Sequence, residues 1–388
     1  MTYQMTSEQQ GIRDAILRIC EEFDDEFWLT RDRVGGFPRE LHQKLARDGW
    51  LGIAIPEEYG GAGLGIVDAA IMMQAIAESG GGNSAASAIH MNIFGLNPVV
   101  KFGTDDQKQR YLPPLVAGDE RACFGVTEPT TGLDTTKLKT RAVRQGDRYV
   151  VHGQKVWIST AQEADKILLL ARTTPLEDVK KPTEGLSLFY TDLDRSFVTV
   201  REIEKMGRKC VDSNELFIDG LPIPAGDLIG EEGQGFRQIL HGLNPERVLI
   251  AAEAVGIGRN ALRRAADYAN ERVVFGRPIG QNQGVQHPLA ASWAELEAAN
   301  LMAMHAGALY DAGKPCGNEA NAGKYLAGEA AVKATQTAQL TFGGFGYAKE
   351  YHVERLVREA ILFRIAPVTP QLVLSFIAEH ALGLPKSY

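Results

Sequence analysis

The sequence predicts an α+β fold, with a helical segment, a β-rich middle and a second helical segment in that order along 388 residues. Three observations predict it. Apolar residues recur at helical spacing in the outer thirds of the chain, while the middle carries short apolar runs of strand length. Strands and helices are segregated rather than alternating, which argues against a doubly wound parallel sheet. At ~150 residues per domain the length suggests two or three units, and the texture changes near residues 118 and 230. The expected organisation is an N-terminal helical domain over 1–118, a central β-domain over 119–230 and a C-terminal helical bundle domain over 231–388.

In the first zone Ile12, Ile16, Leu17 and Ile19 fall near helical spacing, and Leu41, Leu45 and Ala46 repeat it. The run Ile55-Pro56-Glu57-Glu58-Tyr59-Gly60-Gly61 makes a turn between helices. Residues 68–78 read as helix, stopped by three glycines at 80–82. In the second zone 149–151, a His152-Gly153 turn and 155–158 read as a hairpin. Residues 167–171, 186–190 and 197–200 are further strands, and the charged, Pro-containing stretch 175–184 is a surface loop. The third zone predicts helices over 251–270, 286–311 and 318–340. On 351–362 the residues Val353, Leu356, Val357, Ala360 and Ile361 line one buried face. A short helix over 372–382 closes the chain.

Composition narrows the function. The 41 Lys and Arg against 49 Asp and Glu leave a net charge of −8, which argues against nucleic acid or an anionic membrane as main partner. A local basic patch could still hold a small anion. Cys20, Cys123, Cys210 and Cys316 have neither zinc-ligand nor CxxC spacing, so no metal site is expected. The first residues lack the apolar core of a signal peptide, and no run approaches the ~20 apolar residues of a membrane span. A cytoplasmic setting is expected.

Several familiar motifs are missing. Gly256-Ile-Gly258 lies inside a helical run and lacks the final glycine of a dinucleotide fingerprint. There is no P-loop and no HExxH, and Gly82-Asn-Ser84-Ala-Ala lacks the second glycine of a nucleophile elbow.

Longer patterns do stand in the chain. They are Phe124-Gly-Val-Thr127-Glu128-Pro129 with Gly132 and Asp134, then Gly153-Gln-Lys155-Val-Trp157-Ile158-Ser159. Next come Glu271-Arg272-Val-Val-Phe275-Gly276-Arg-Pro-Ile with Gln283, and Phe342-Gly343-Gly344-Phe-Gly346-Tyr347. The last is Val353-Glu354-Arg355 with Arg358. Together, in this order and at this spacing, they resemble the acyl-CoA dehydrogenase family of flavoproteins. The resemblance runs from the turn near residue 56 to the C-terminus. It implies a helical domain, a β-domain and a C-terminal four-helix domain. FAD would lie between the latter two and reach a neighbouring subunit of a homotetramer.

The resemblance also assigns roles. Thr127 would face the pyrimidine end of the flavin; the plain alternative is a turn built by Glu128-Pro129. Trp157 would stack beside the flavin and exclude water, the alternative being a core Trp. Ser159 stands where the family usually has Thr and keeps the hydroxyl. Arg272 and Phe275, at i and i+3, share a face if the helix still runs there. The family sets them against the FAD diphosphate and ring system of an adjacent subunit, and a guanidinium can bond two phosphate oxygens at once. An exposed Arg and a core Phe are the alternative. Gln283 would lie near the adenine half, and Gly343 and Gly344 allow close backbone approach. Thr369 and Gln371 match positions near FAD, and Gly132 a position on the substrate path. Three departures stand out. Leu340 replaces a Gln, with Gln339 displaced by one; Leu133 replaces a Ser on the CoA path; Leu374 replaces a closing Arg.

The family chemistry removes a proton α to a thioester and a hydride from the β-carbon. It needs a carboxylate base and donors for the thioester oxygen. Where many members carry the base in a Tyr-Glu-Gly-Thr segment, this chain has Ala366-Pro367-Val368-Thr369. Members specific for isovaleryl or long-chain acyl groups carry it earlier, just before an Arg. Leu243-Asn244-Pro245-Glu246-Arg247 matches that pattern, making Glu246 the expected base and Arg247 a residue that steadies it or the substrate. The plain alternative is a helix start, with Asn244 as N-cap, Pro245 at the first position and Glu246 in the first turn. Position 367 also supplies a backbone N–H to the thioester oxygen in the family. Pro has none, so one donor is lost or replaced.

The expected function is oxidation of an acyl-CoA to the trans-2-enoyl-CoA with electrons passed to an electron-transferring flavoprotein. Two rivals remain open. One is a flavin-dependent oxidase, monooxygenase or other CoA-thioester reaction. The other is a subunit whose partner supplies the base.

Overall fold

The computed structural model describes residues 4–387. The first helical segment comprises α1 (Ser7–Cys20), α2 (Asp25–Val34), α3 (Arg39–Arg47), α4 (Ile66–Ile76), α5 (Gly82–His90), α6 (Asn97–Phe102) and α7 (Asp105–Val116). Between α4 and α5 the chain kinks at Gly80, whose φ is +125°, a value only glycine adopts freely. α4 is buried almost throughout because it runs beneath the C-terminal helices.

The sheet contains β1 (Ala122–Gly125), β2 (Arg141–Gln145), β3 (Arg148–Ser159), β4 (Lys166–Arg172), β5 (Leu186–Asp192), β6 (Val198–Glu202), β7 (Ser213–Pro224) and β8 (Leu228–Ile229). Its order is β6-β7-β3-β2-β4-β5-β8, with β1 beside β4. Most pairs are antiparallel; β1 and β2 each meet β4 in parallel.

One sequence expectation fails here. His152-Gly153 is not a turn, because β3 runs unbroken through both residues for 12 residues. The turn lies earlier, where Gly146 at φ +65° joins β2 to β3. Gly153 is there for space: a Cβ on it would stand 2.7 Å from the Thr140 Cα.

The C-terminal segment comprises α8 (Gly235–Leu240), α9 (Leu243–Glu271), the hairpin β9 (Val273–Val274) and β10 (Arg277–Pro278), α10 (Gln283–Asp311), α11 (Gly317–Phe342), α12 (Val353–Ala360) and α13 (Pro370–His380). α9, α10 and α11 pack on one another, and α11 carries α12 and α13. Of the expected buried stripe, Val353, Leu356 and Ala360 are fully buried and Val357 and Ile361 are half-buried. Arg355 and Glu359 are buried beside them as an ion pair at 3.3 Å. One apolar core runs from Ile12 and Ile16 on α1 through Ile71 on α4 and Val255 on α9 to Phe363. The two helical segments are thus welded, while the sheet has its own core around Tyr149, Leu169 and Phe189.

Candidate active site

Glu246 lies in the first turn of α9. That helix opens two residues earlier than the plain reading requires. Gly242 occupies the cap position and makes no side-chain cap, and the Glu246 N–H donates to the Gly242 carbonyl at 3.0 Å. Asn244 is therefore not an N-cap. Its Oδ1 accepts from Arg247 Nη1 at 3.0 Å. Glu246 is buried, only 8% exposed. Burial pushes its carboxyl up to about 7, against the pull of His90 and Arg247, with the Glu253 charge adding to the rise and Lys324 opposing it. A carboxyl poised near neutrality can take up or release a proton at ordinary pH.

Two cations flank it. Arg247 loses ground to burial while the Glu246 charge supports it, and its buried Nε has no partner. Lys324 on α11 is 1% exposed, and its Nζ donates to the Val368 carbonyl at 2.6 Å. Burial pushes Lys324 down to about 8, with Arg247 also lowering it and Glu246 opposing. The sequence reading missed Lys324. Its only signal is a lone Lys on the buried face of a helix of Ala and Gly. It ties α11 to the segment that holds Pro367.

The sheet presents Thr127, Trp157 and Ser159 from two elements. Lys155 is fully buried on β3, and its Nζ donates to Glu128 Oε1 at 3.0 Å and to the carbonyls of Val126 and Leu170 at 3.1 and 2.8 Å. Glu128 in turn accepts from the N–H groups of Lys139 and Thr140 at 2.6 and 2.9 Å. This pair fixes the loop after β1, where the Thr127 carbonyl accepts from Val156 N–H at 2.9 Å. The Glu128 turn exists as well, closed by Thr131 N–H on the Glu128 carbonyl at 3.1 Å. β3 is irregular between Lys155 and Ile158, and Trp157 sits there at φ +61° with its side chain 59% exposed. The core-Trp alternative is thereby excluded. The Ser159 hydroxyl accepts from Arg208 Nη2 at 3.0 Å. Arg208 also reaches the hydroxyls of Ser213 and Ser87 at 3.2 and 3.1 Å, binding β3, β7 and α5 together. No pattern in the sequence pointed to it.

The third group differs from expectation. α9 ends at Glu271, so Arg272 and Phe275 do not share a helical face. Arg272 is the C-cap, and Phe275 with Gly276 forms the two-residue turn of the β9–β10 hairpin at φ +54° and +79°. Phe275 is fully exposed, so it is no core residue. Arg272, Tyr268, Thr341, Gly343, Gly344 and Phe345 line one surface cavity. The Arg272 guanidinium lies over the Phe345 ring at 5.7 Å. A Cβ on Gly343 or Gly344 would meet nothing, which leaves room for a ligand to approach the backbone. Leu340 is 81% exposed, whereas Gln339 turns inward and donates to the Gly346 carbonyl at 3.3 Å. Gln283 begins α10 exposed, Gln371 is exposed on α13, and Gly132 sits in an exposed loop, all outside this cavity. Thr369 caps α13, its hydroxyl accepting from Leu372 N–H at 3.5 Å.

The N-terminal, middle and C-terminal domain profiles of acyl-CoA dehydrogenases match residues 6–119, 123–221 and 233–382. The chain belongs to the acyl-CoA dehydrogenase family. It is 36% identical over 395 residues to the acyl-CoA dehydrogenase FadE12 of Mycobacterium tuberculosis, covering 99% of this chain and 98% of that one. It is 33% identical to a 3-(aryl)acrylate reductase of Clostridium sporogenes, covering 97% of this chain and 99% of that one. Butyryl-CoA dehydrogenase from Megasphaera elsdenii superposes with a TM-score of 0.93 at 30% identity, covering 99% of this chain and 100% of that one. The family consists of FAD-dependent oxidoreductases, and the residues present fit that cofactor. The open backbone at Gly343-Gly344 and the guanidinium of Arg272 at the cavity, and separately the outward indole of Trp157 on the sheet, have the chemistry that such a cofactor needs. Among the described residues no helix is long and apolar enough to cross a membrane, and no group of acidic, His or Cys side chains is arranged to hold a metal ion.

Proposed function

We propose that the chain oxidises an acyl-CoA thioester to the trans-2-enoyl-CoA, with Glu246 as general base. One observation carries this: a buried carboxyl raised to about 7 at the helix start, in a chain whose other base position is Pro367. Glu246 takes the proton from the carbon α to the thioester as negative charge builds on the thioester oxygen. FAD, when bound, accepts the hydride released from the β-carbon. Pro367 offers no N–H to the oxygen. The ammonium of Lys324, anchored to the next residue's carbonyl, supplies positive potential at that end of the site. Arg247 does so beside the base. The Lys155–Glu128 pair holds the Thr127 loop, and Trp157 excludes water from the reacting face.

The test is anaerobic mixing of the holoenzyme with a panel of acyl-CoA substrates. Wild type bleaches the flavin promptly without oxygen, and slow reoxidation of the bleached enzyme on admitting oxygen then separates dehydrogenation from oxidase chemistry. Glu246→Gln retains FAD and loses flavin reduction by ~10²–10⁴-fold. Full activity in Glu246→Gln overturns the assignment. A second reading is favoured by the likeness to the acrylate reductase. There the same site runs in the opposite sense, with protonated Glu246 delivering the proton to an enoyl substrate. Reoxidation of pre-reduced enzyme by an arylacrylyl or enoyl substrate, without bleaching by any acyl-CoA, selects it.

An electron-transferring flavoprotein is the proposed acceptor. A homotetramer is supported by apolar side chains standing outward on the C-terminal segment, Phe275, Trp293, Leu340 and Tyr347 among them. Four buried free thiols fit the proposed cytoplasmic setting.

A further inference from the structure

His90 ends α5 and Glu253 lies on α9, two helical turns beyond Glu246 and on the same face. His90 Nδ1 stands 2.6 Å from Glu253 Oε1. His90 is 8% exposed and Glu253 is not exposed at all. Glu253 Oε2 is buried without a hydrogen-bond partner. A lone carboxylate at such a place is costly, and an adjacent imidazolium offsets much of that cost. Beside the pair, Ala86, Ile89, Leu249 and Ala252 are buried and apolar, while Ser87, one turn before His90, is buried and accepts from Arg208 at 3.1 Å.

We propose that His90 and Glu253 form a positioning pair behind Glu246, in which an imidazolium held by one carboxylate favours the ionised form of the other. This rests on the reading of Glu246 as base. Without His90, the Glu253 carboxylate would stand uncompensated along the helix and oppose ionisation of Glu246. With it, the pair is neutral as a unit, and its positive member is felt by the base. Burial opposes a charge on His90, but the Glu253 carboxylate outweighs it and raises the imidazole, with Glu246 adding and Arg208 opposing. The groups facing His90 are thus Glu253 and Glu246 from α9 and Arg208 from the segment between β6 and β7. Those facing Glu246 are His90 from α5, Arg247 and Glu253 from α9 and Lys324 from α11.

The experiment is the pH profile of anaerobic flavin reduction by acyl-CoA in holoenzyme. In His90→Gln the acid limb moves up by about one pH unit, so the rate falls about tenfold below the limb while the alkaline plateau stays within about twofold. His90→Lys keeps a cation beside both carboxylates and returns the limb toward wild type. A purely structural role would lower the rate evenly at every pH. An unmoved limb, or an even loss that Lys does not rescue, overturns the proposal. Where Gln does not fold, His90→Asn is read the same way. Glu246→Gln separates the two claims: if it keeps full activity, the base assignment fails; if it is dead while the His90→Gln limb is unmoved, only this inference fails.

Discussion

The Glu246 carboxyl opens a helix, where the helix dipole favours negative charge, yet its pKa is raised to about 7. Burial therefore outweighs the dipole and the nearby cations. Flavin reduction should rise with pH as Glu246 deprotonates and be half-maximal near pH 7, read by stopped-flow absorbance. The same shift acts on stability with the opposite sign. Between the unfolded and folded pKa the folded chain holds more protons than the unfolded one, so Glu246 stabilises the fold at low pH and loses that contribution as pH rises through about 7. Glu246→Gln should match wild type in thermal unfolding at about pH 5 and exceed it at about pH 8, by at most ~3 kcal/mol. A melting difference independent of pH would refute this. Much of the site at this scale was unreadable in the chain. The Leu-x-x-Glu-Arg pattern points to Glu246 only through resemblance, and nothing local announces its burial. His90 and Glu253 meet across 163 positions, and Lys324 reaches Val368 across 44. Each looks like an ordinary polar residue until the helices pack.

At the scale of elements, β3 is the scaffold of the sheet side of the site. Its buried Lys155 faces inward while Trp157, two residues on, faces outward at the irregularity. Lys155→Met would leave the Glu128 carboxylate buried and unpaired, which costs about 3–5 kcal/mol. The expected result is a lower denaturation midpoint and weaker FAD retention, because the Thr127 loop loses its anchor. The double change Lys155→Met with Glu128→Gln should recover a substantial part of the stability. No recovery would show that the cost is lost packing. The strands β4, β5 and β6, the segregated α+β pattern and most of the buried stripe of α12 were legible because periodicity is local, whereas β1, β2 and the long β7 were not foreseen. Nor were the two hairpins. His152-Gly153 looks like a turn, yet its glycine answers a close approach of Thr140 from elsewhere in the sheet. Phe275 looks like an apolar residue in a helical run, yet Phe275-Gly276 adopts a turn with positive φ at both residues.

At the scale of the whole molecule, the two helical segments share one core, so the first and last zones of the sequence pack as one body. The net charge of −8 says little about a site for polyanionic ligands, because the local cations Arg272, Arg247 and Lys324 act at close range. The hairpin carrying Phe275 projects from the end of α9 beside the Arg272 cavity, with Val273 also exposed at 56%. A large exposed apolar tip beside a proposed cofactor cavity is what association of subunits would cover. Phe275→Asp places a charge at that tip without touching either core. The isolated subunit should keep its helical circular dichroism, since no buried contact is lost. Light scattering should report a smaller assembly, and the purified protein should lose FAD on gel filtration at substoichiometric ratios. Retention of the wild-type mass with full flavin content would show that the hairpin is not part of the interface. A smaller mass with full flavin would show that the cofactor is held within one subunit, and that Arg272, Gly343 and Gly344 serve the FAD of their own chain.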